Sequence, residues 1–383
     1  MPGPRKINPP YRLDHVGSFI RPAKLLEARR SAGYVEFGKP PQEGSISLDD
    51  LREIENQAIE DVVKLQESVG LRSITDGEFR RGSWALDVVD RIEGVEIRPQ
   101  DGVFQAQFSG GEFRPPVPHT IGKLGRGEGG LVLSDYEFTS SLTDRMVKAT
   151  MPVPSIIYLR GGREAVSTNI YPDIEEFFDD LCQVYRDEIS DLEAAGCRYV
   201  QLDNVDTPML CDPKFQEISL KQGIEPLDQV RLHARLVNGA LRDLPDGMVA
   251  AMHMCRGNAA GTWLAEGSYE YVAEILFNEF DVDAFFMEYD SERAGDFKPL
   301  RFAPRDKLIV LGLLTTKTSE HDPKDVLKRR IEEASRYVPI ENLAISPQCG
   351  FASVDVGNPI SVDDERRKID LLHEVAQEVW GYI

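Results

Sequence analysis

Eight short apolar runs, with amphipathic stretches between most of them, leave few folds open to this chain. The runs cover residues 15–18, 73–77, 147–151, 198–203, 248–253, 284–289, 308–314 and 343–347. Strands buried on both faces read as continuous aliphatic runs rather than as an apolar–polar alternation. Leu308-Ile-Val-Leu-Gly-Leu-Leu314 is such a run. Between the runs, residues 48–69, 174–195, 227–241, 269–280, 322–337 and 362–379 carry apolar side chains at helical spacing. In the first of these, Leu51, Ile54, Ala58, Val62, Leu65 and Val69 fall on one stripe. Strand–helix alternation repeated eight times predicts an α/β chain folded as a (β/α)8 TIM barrel, with residues 1–383 in a single catalytic domain. Two segments interrupt the repeat. Residues 31–47 are rich in Gly and Pro and read as a loop. Residues 92–145 hold short alternating runs among Gly, Pro and Phe, and predict a hairpin-like segment inserted between strands two and three. An insertion of that length reads equally as a flap over the barrel rim or as a solvent-facing elaboration.

Composition removes several classes of partner. Lys and Arg total 44 against 65 Asp and Glu, a net charge of −21. That balance disfavours nucleic acid and anionic membrane surfaces. The apolar run 308–314 is far too short to span a bilayer. Five cysteines in 383 residues make no disulfide framework, and Cys182, Cys197 and Cys211 read as plain buried thiols. The first residues, Met1-Pro-Gly-Pro-Arg-Lys6, carry no apolar signal stretch. A reducing, cytoplasmic setting is expected. Oligomeric state is not legible.

In a barrel of this type the chemistry lies at the C-terminal ends of the strands. Those ends carry Ser18, Asp76, Glu78, Asp203, His253, Cys255, Glu288, the Thr315-Thr-Lys317 segment and Cys349. Residues i and i+2 of a strand point the same way, so His253 and Cys255 can share one ion. With Glu288 and Cys349 they make a set of one imidazole, two thiols and one carboxylate, a donor set that selects Zn²⁺. Two thiolates already neutralise the ion, and a further anionic ligand makes it a poor generator of hydroxide. Such a centre suits a different task, holding an incoming thiol as a nucleophilic thiolate, with Glu288 as the ligand it displaces. The neighbouring residues fit a small zwitterionic thiol. Val16, Gly17 and Ser18 offer N–H groups and a hydroxyl to a carboxylate, and Glu78 and Asp203 offer charge to an ammonium. Each has a plainer alternative: Glu78 as the ion-pair partner of a nearby arginine, Asp203 as a helix cap. Trp84 and Trp263 lie near the rim, either stacked on a planar donor or packed as core.

From His15-Val-Gly-Ser-Phe-Ile-Arg-Pro22 to Ser346-Pro-Gln-Cys-Gly-Phe351, nearly the whole chain resembles the catalytic barrel of the cobalamin-independent methionine synthases. The resemblance implies that His253, Cys255, Glu288 and Cys349 are zinc ligands and that Ser18, Glu78 and Asp203 contact homocysteine. It also implies that the Thr150-Met-Pro-Val153 segment faces a pterin. The chain departs from the family pattern in three respects: only one barrel fits where the full-length synthases carry an additional N-terminal barrel, and two motifs differ. Asp203-Asn204-Val205-Asp206 stands where the family has Asp-Glu-Pro, and Thr316-Lys317-Thr318 stands where it has a His-Ser-Pro thought to protonate the leaving pterin. His321 is near but out of register. The expected activity is therefore zinc-dependent alkylation of a thiol, most simply methyl transfer to homocysteine giving methionine, with Lys317 in the acid position. The alternatives are addition of a thiol to an epoxide, as in epoxyalkane:coenzyme M transferases, and decarboxylation of the uroporphyrinogen type, which needs no zinc. The expected partners are a small thiol and an alkyl donor.

Overall fold

The computed structural model describes residues 9–34, 42–98, 106–108, 111–113, 116–320 and 323–382. Residues 35–41 of the expected loop at 31–47, and His321, lie outside the described residues. Six strands, Ala149–Pro152, Tyr199–Asn204, Val249–Met254, Ala284–Glu288, Leu308–Leu314 and Leu343–Pro347, form one parallel sheet in which neighbours in sequence are neighbours in space. Every residue of these strands is buried. This explains why they lack apolar–polar alternation: a parallel sheet covered on both faces has no wet side.

The helices that connect the strands cover one face. Leu48–Ser68 begins at a capping box in which Ser47 and Asp50 satisfy each other's backbone N–H groups, and Val362–Trp380 begins at the same device with Ser361 and Asp364. The large core lies between these helices and the sheet and includes Ile59, Leu181, Val237, Leu276, Leu313 and Leu372. A smaller apolar cluster occupies the opposite face. It is made of alternate residues from successive strands, among them Val249 and Ala251, Ala284 and Phe286, Leu308 and Val310, with Val16 and Tyr199.

The first three runs of the sequence differ from expectation. The N-terminal segment joins the strand Leu343–Pro347 at residues 12–14, by the Leu13–Ile345 bridge and two flanking backbone hydrogen bonds, and not at 15–18. The backbone of residues 15–17 is served by side chains instead. Lys148 donates to the His15 carbonyl, Gln201 to that of Val16 and Thr75 to that of Gly17. The second run shortens to Ser73–Ile74, because Gln66 takes both backbone groups of Thr75. The third is broken at Lys148: Met146–Val147 pairs with Ser73–Ile74, and Ala149–Pro152 pairs with Tyr199–Asn204. Between the second and third runs, Ile92–Arg98 and Val117–Arg126 pair antiparallel. Among the described residues, no helix is long and apolar enough to cross a membrane.

Candidate functional site

Ladder register puts the chemistry-bearing residues at one level. Asp203 lies opposite His253, His253 opposite Phe286, and Glu288 opposite Gly312. Cys349 follows the strand Leu343–Pro347 by two residues. One donor atom from each of His253, Cys255, Glu288 and Cys349 comes within 4.8 Å of the others, and all four residues are buried. The two sulfurs are 3.6 Å apart. Two thiolates on a tetrahedral zinc, each at about 2.3 Å, stand about 3.8 Å apart. Among the described residues, neither buried ring nitrogen of His253 has a hydrogen-bond partner of ordinary geometry. A buried imidazole normally finds a partner for at least one nitrogen, and a cation among these donors would supply it. The four side chains therefore fit a zinc ion.

Charge around the cluster is arranged to match. Glu288 accepts from the backbone N–H of Arg256 at 2.8 Å and from Arg293 at 3.0 Å. Burial opposes its ionised form, but Lys317, Arg293 and His253 together hold the carboxyl below its usual range. The hydrogen bond between the two thiols pulls Cys349 well below the ordinary thiol range and pushes Cys255 well above it. The guanidinium of Arg256, itself buried, stacks 4.1 Å from the centre of the Tyr269 ring.

A small, partly enclosed cavity opens beside the cluster. Val16, Ser18, Glu78, Asp203, His253, Cys255 and Cys349 line it together with Trp84, Val205, Asn258, Gly350 and Ser353. Glu78 is in a left-handed conformation, φ 61°, directly after Gly77 at φ 69°. For a residue with a Cβ this costs about 1 kcal/mol, and such strain gathers at functional sites. Burial first, with added repulsion from Asp203 and Asp76 and relief from Arg81, brings Glu78 up to about 7. Burial likewise lifts Asp203 to about 6, against the pull of His253 and the Gln201 hydrogen bond. Two buried carboxyls on one cavity are a receptor for a cation.

The plainer readings of these residues are also visible. Arg81 stands 3.8 Å from Glu78. The helix-cap role weighed for Asp203 falls to Asn204, which accepts from the Thr207 N–H at 3.0 Å. Gly17 faces Glu78: at its φ of +146° a Cβ would come 2.9 Å from Thr150 Cγ2 and 3.2 Å from Glu78 Oε1. Lys317 is buried behind the cluster, 3.8 Å from Asp290 Oδ2, with no hydrogen-bond partner for its Nζ.

With this geometry in hand, comparison with known proteins is direct. The sequence model of the cobalamin-independent synthase catalytic domain matches residues 16–362. The chain belongs to that family. The protein YxjH of Bacillus subtilis (strain 168) is 37% identical over 374 residues, 97% of this chain and 95% of YxjH. The methionine synthase of Pyrococcus abyssi is 25% identical over 351 residues, 89% of this chain and 86% of that one. Among solved structures, one from Listeria monocytogenes assigned to the vitamin-B12 independent methionine synthases has a TM-score of 0.74 at 32% identity, covering 97% of this chain and 98% of that one. A B12-independent methionine synthase from Shewanella sp. W3-18-1, in complex with selenomethionine, shares the fold with a TM-score of 0.69 at 17% identity, covering 95% and 96%.

Read as a cobalamin-independent synthase, the cavity has lining residues that sequence reasoning did not nominate. Asn258 donates to the Gly350 carbonyl at 2.9 Å, and the Ser353 hydroxyl lies 3.7 Å from the Cys349 sulfur. Their signal was proximity alone: each follows a candidate ligand by three or four residues, in Cys255-Arg-Gly-Asn258 and Cys349-Gly-Phe-Ala-Ser353. Trp84, poised in sequence between stacking and packing, lines the cavity, whereas Trp263 lies under the Arg293 guanidinium at 5.3 Å.

Proposed function

We propose that this chain is a zinc-dependent thiol alkyltransferase that methylates homocysteine or a closely related thiol. The observation that carries the reading is the convergence of His253, Cys255, Glu288 and Cys349 beside a cavity that also presents Glu78 and Asp203. Bound there, zinc supplies the charge that keeps a substrate thiol deprotonated and nucleophilic at neutral pH. His253, Cys255 and Cys349 would hold the ion throughout. Glu288 would complete the set, and it is also bonded to Arg293 and to the Arg256 N–H. Glu78 and Asp203 would bind the substrate ammonium, and Val16, Gly17 and Ser18 its carboxylate. Trp84 and Val205 supply apolar wall that limits water.

The scaffold in this reading is a single (β/α)8 barrel. Pairing of the N-terminal segment with the strand at 343–347, and of Ser73–Ile74 with Met146–Val147, continues the six-stranded sheet at both edges. The inner apolar cluster is what a closed sheet would enclose. The antiparallel pair of Ile92–Arg98 and Val117–Arg126 lies within the expected inserted segment, residues 92–145.

The test is an anaerobic activity panel of homocysteine and coenzyme M against methyl-folate, methylcobalamin and epoxide donors, with zinc quantified. Methyl transfer to homocysteine with one zinc per chain is expected. Full activity in metal-free protein would overturn the mechanism, and activity with coenzyme M and an epoxide alone would move the assignment to thiol–epoxide addition.

A further inference from the structure

Next to the cavity runs a buried polar chain that the thiol chemistry does not use. Lys148, 2% exposed, sits at the break in the third run. Its Nζ donates to Asp14 Oδ1 at 3.1 Å, to Gln201 Oε1 at 2.9 Å and to the His15 carbonyl. Three acceptors engage all three hydrogens of an ammonium, and a neutral amine has only two. Burial pushes the lysine pKa down, and Asp14 works against that. Asp14 is in turn held by Tyr199 at 3.0 Å and Ser73 at 2.7 Å.

The consequence falls on Gln201. An ammonium is a pure donor, so the glutamine must turn its carbonyl oxygen toward Lys148. Its Nε2 then points the other way, and both hydrogens are used: one to the Val16 carbonyl at 2.5 Å, one to Asp203 Oδ1 at 2.8 Å. We propose that Lys148 is a positioning residue for amino-group recognition: by fixing the polarity of the Gln201 amide it keeps an N–H donor on Asp203 and holds that carboxylate in place for the substrate ammonium. The inference rests on the ammonium-binding role assigned to Asp203 above. A reversed amide would set a carbonyl oxygen against the carboxylate, repel it and take the Gln201 donor away from the Val16 carbonyl. Lys148 thus governs which thiol is preferred, while the affinity for the thiol group itself belongs to the metal cluster.

The experiment is calorimetric titration of the full chain, at matched zinc content, with homocysteine and with γ-mercaptobutyrate, the same skeleton without the amino group. Wild type should prefer homocysteine by about tenfold or more, the scale of one charged hydrogen bond. The double variant Lys148→Met with Asp14→Asn, which leaves no unpaired buried carboxylate, should lose about tenfold in homocysteine affinity and bind γ-mercaptobutyrate as before. Gln201→Met leaves the Lys148–Asp14 pair intact and should show the same selective loss, so the link is tested even where the double variant fails to fold. Retention of the wild-type preference in the variants overturns the proposal. So does an equal loss of affinity for both thiols, which would mark a structural effect. A wild type that binds both thiols alike removes the role of Asp203, and this inference with it.

Discussion

His253 and Cys349 define the residue scale. Among the described residues, neither His253 nitrogen has a hydrogen-bond partner of ordinary geometry, and Cys349 is the more acidic member of the thiol pair. A serine hydroxyl at 349 cannot ionise near neutrality and is a poor zinc ligand. Cys349→Ser should therefore abolish zinc retention and methyl transfer together, with an unchanged circular-dichroism spectrum. Zinc retained at one per chain by that variant would remove Cys349 from the ligand set. Lys317 poses the donor question. By the sequence resemblance it stands where the family has a histidine thought to protonate a leaving pterin, and an ammonium is a weaker acid than an imidazolium. A corrinoid leaving group needs no proton. Methyl-folate should thus be a poor donor and methylcobalamin a better one, and Lys317→Met should leave methylcobalamin turnover nearly unchanged. Rapid turnover of methyl-folate by the wild type would contradict this.

Elements in this fold are tied together by single buried polar groups. Glu188, on the helix Ile174–Ala194, accepts from the backbone N–H groups of Leu131, Val132 and Leu133 at 2.7–2.8 Å. It thereby caps the helix Leu133–Ser140, whose own N-cap residue, Val132, cannot. Glu188→Ala should lower unfolding stability by about 3 kcal/mol, the cost of stranding charge-assisted donors, read as a shift in the urea midpoint. A shift within experimental error would mean that water replaces the carboxylate. His233, on the helix Pro226–Leu241, is the pH-sensitive counterpart. Burial alone depresses it to about 3, and the Thr207 hydroxyl lies 3.2 Å from its Nδ1. The unfolded chain, with an ordinary pKa of about 6.5, takes up a proton in acid that the folded chain refuses. The contribution of neutral His233 is full above that value and is lost as pH falls toward 3. Relative to His233→Gln, the wild type should therefore lose about 2 kcal/mol between pH 7 and pH 5. A constant gap between the two proteins across that range would count against burial of the neutral ring.

At the scale of the whole molecule, two apolar clusters flank the sheet, and the metal cluster sits at the ends of its strands. If the proposed zinc binds there, its contribution to stability should be separable from folding itself. A metal held at a hundred times its dissociation constant adds about 2.7 kcal/mol. Chelation should lower the unfolding temperature by several degrees without altering the far-ultraviolet spectrum. Loss of secondary structure on chelation would make the ion a structural element of the fold, contrary to the separation of core and site.

What the residue order determined by itself is whatever depends on local period and residue type. The helix Leu48–Ser68 is where its apolar stripe put it, ending one residue early, and the strand Leu308–Leu314 has the predicted limits, because side-chain spacing is a property of a few consecutive residues. The donor set His253, Cys255, Glu288 and Cys349 was legible for the same reason: soft and anionic side chains following apolar runs are conspicuous in the order itself. Only the tertiary structure decided what depends on partners far away in sequence. The N-terminal segment pairs at residues 12–14 because Lys148, Gln201 and Thr75, which lie 133, 185 and 58 positions from their acceptors, take the carbonyls that a strand at 15–18 would have used. Asn258 and Ser353 reach the cavity through hydrogen bonds that span 92 residues in one case and return to a candidate ligand in the other. Polar side chains that substitute for ladder bonds follow no period, so no reading of the order alone can place them.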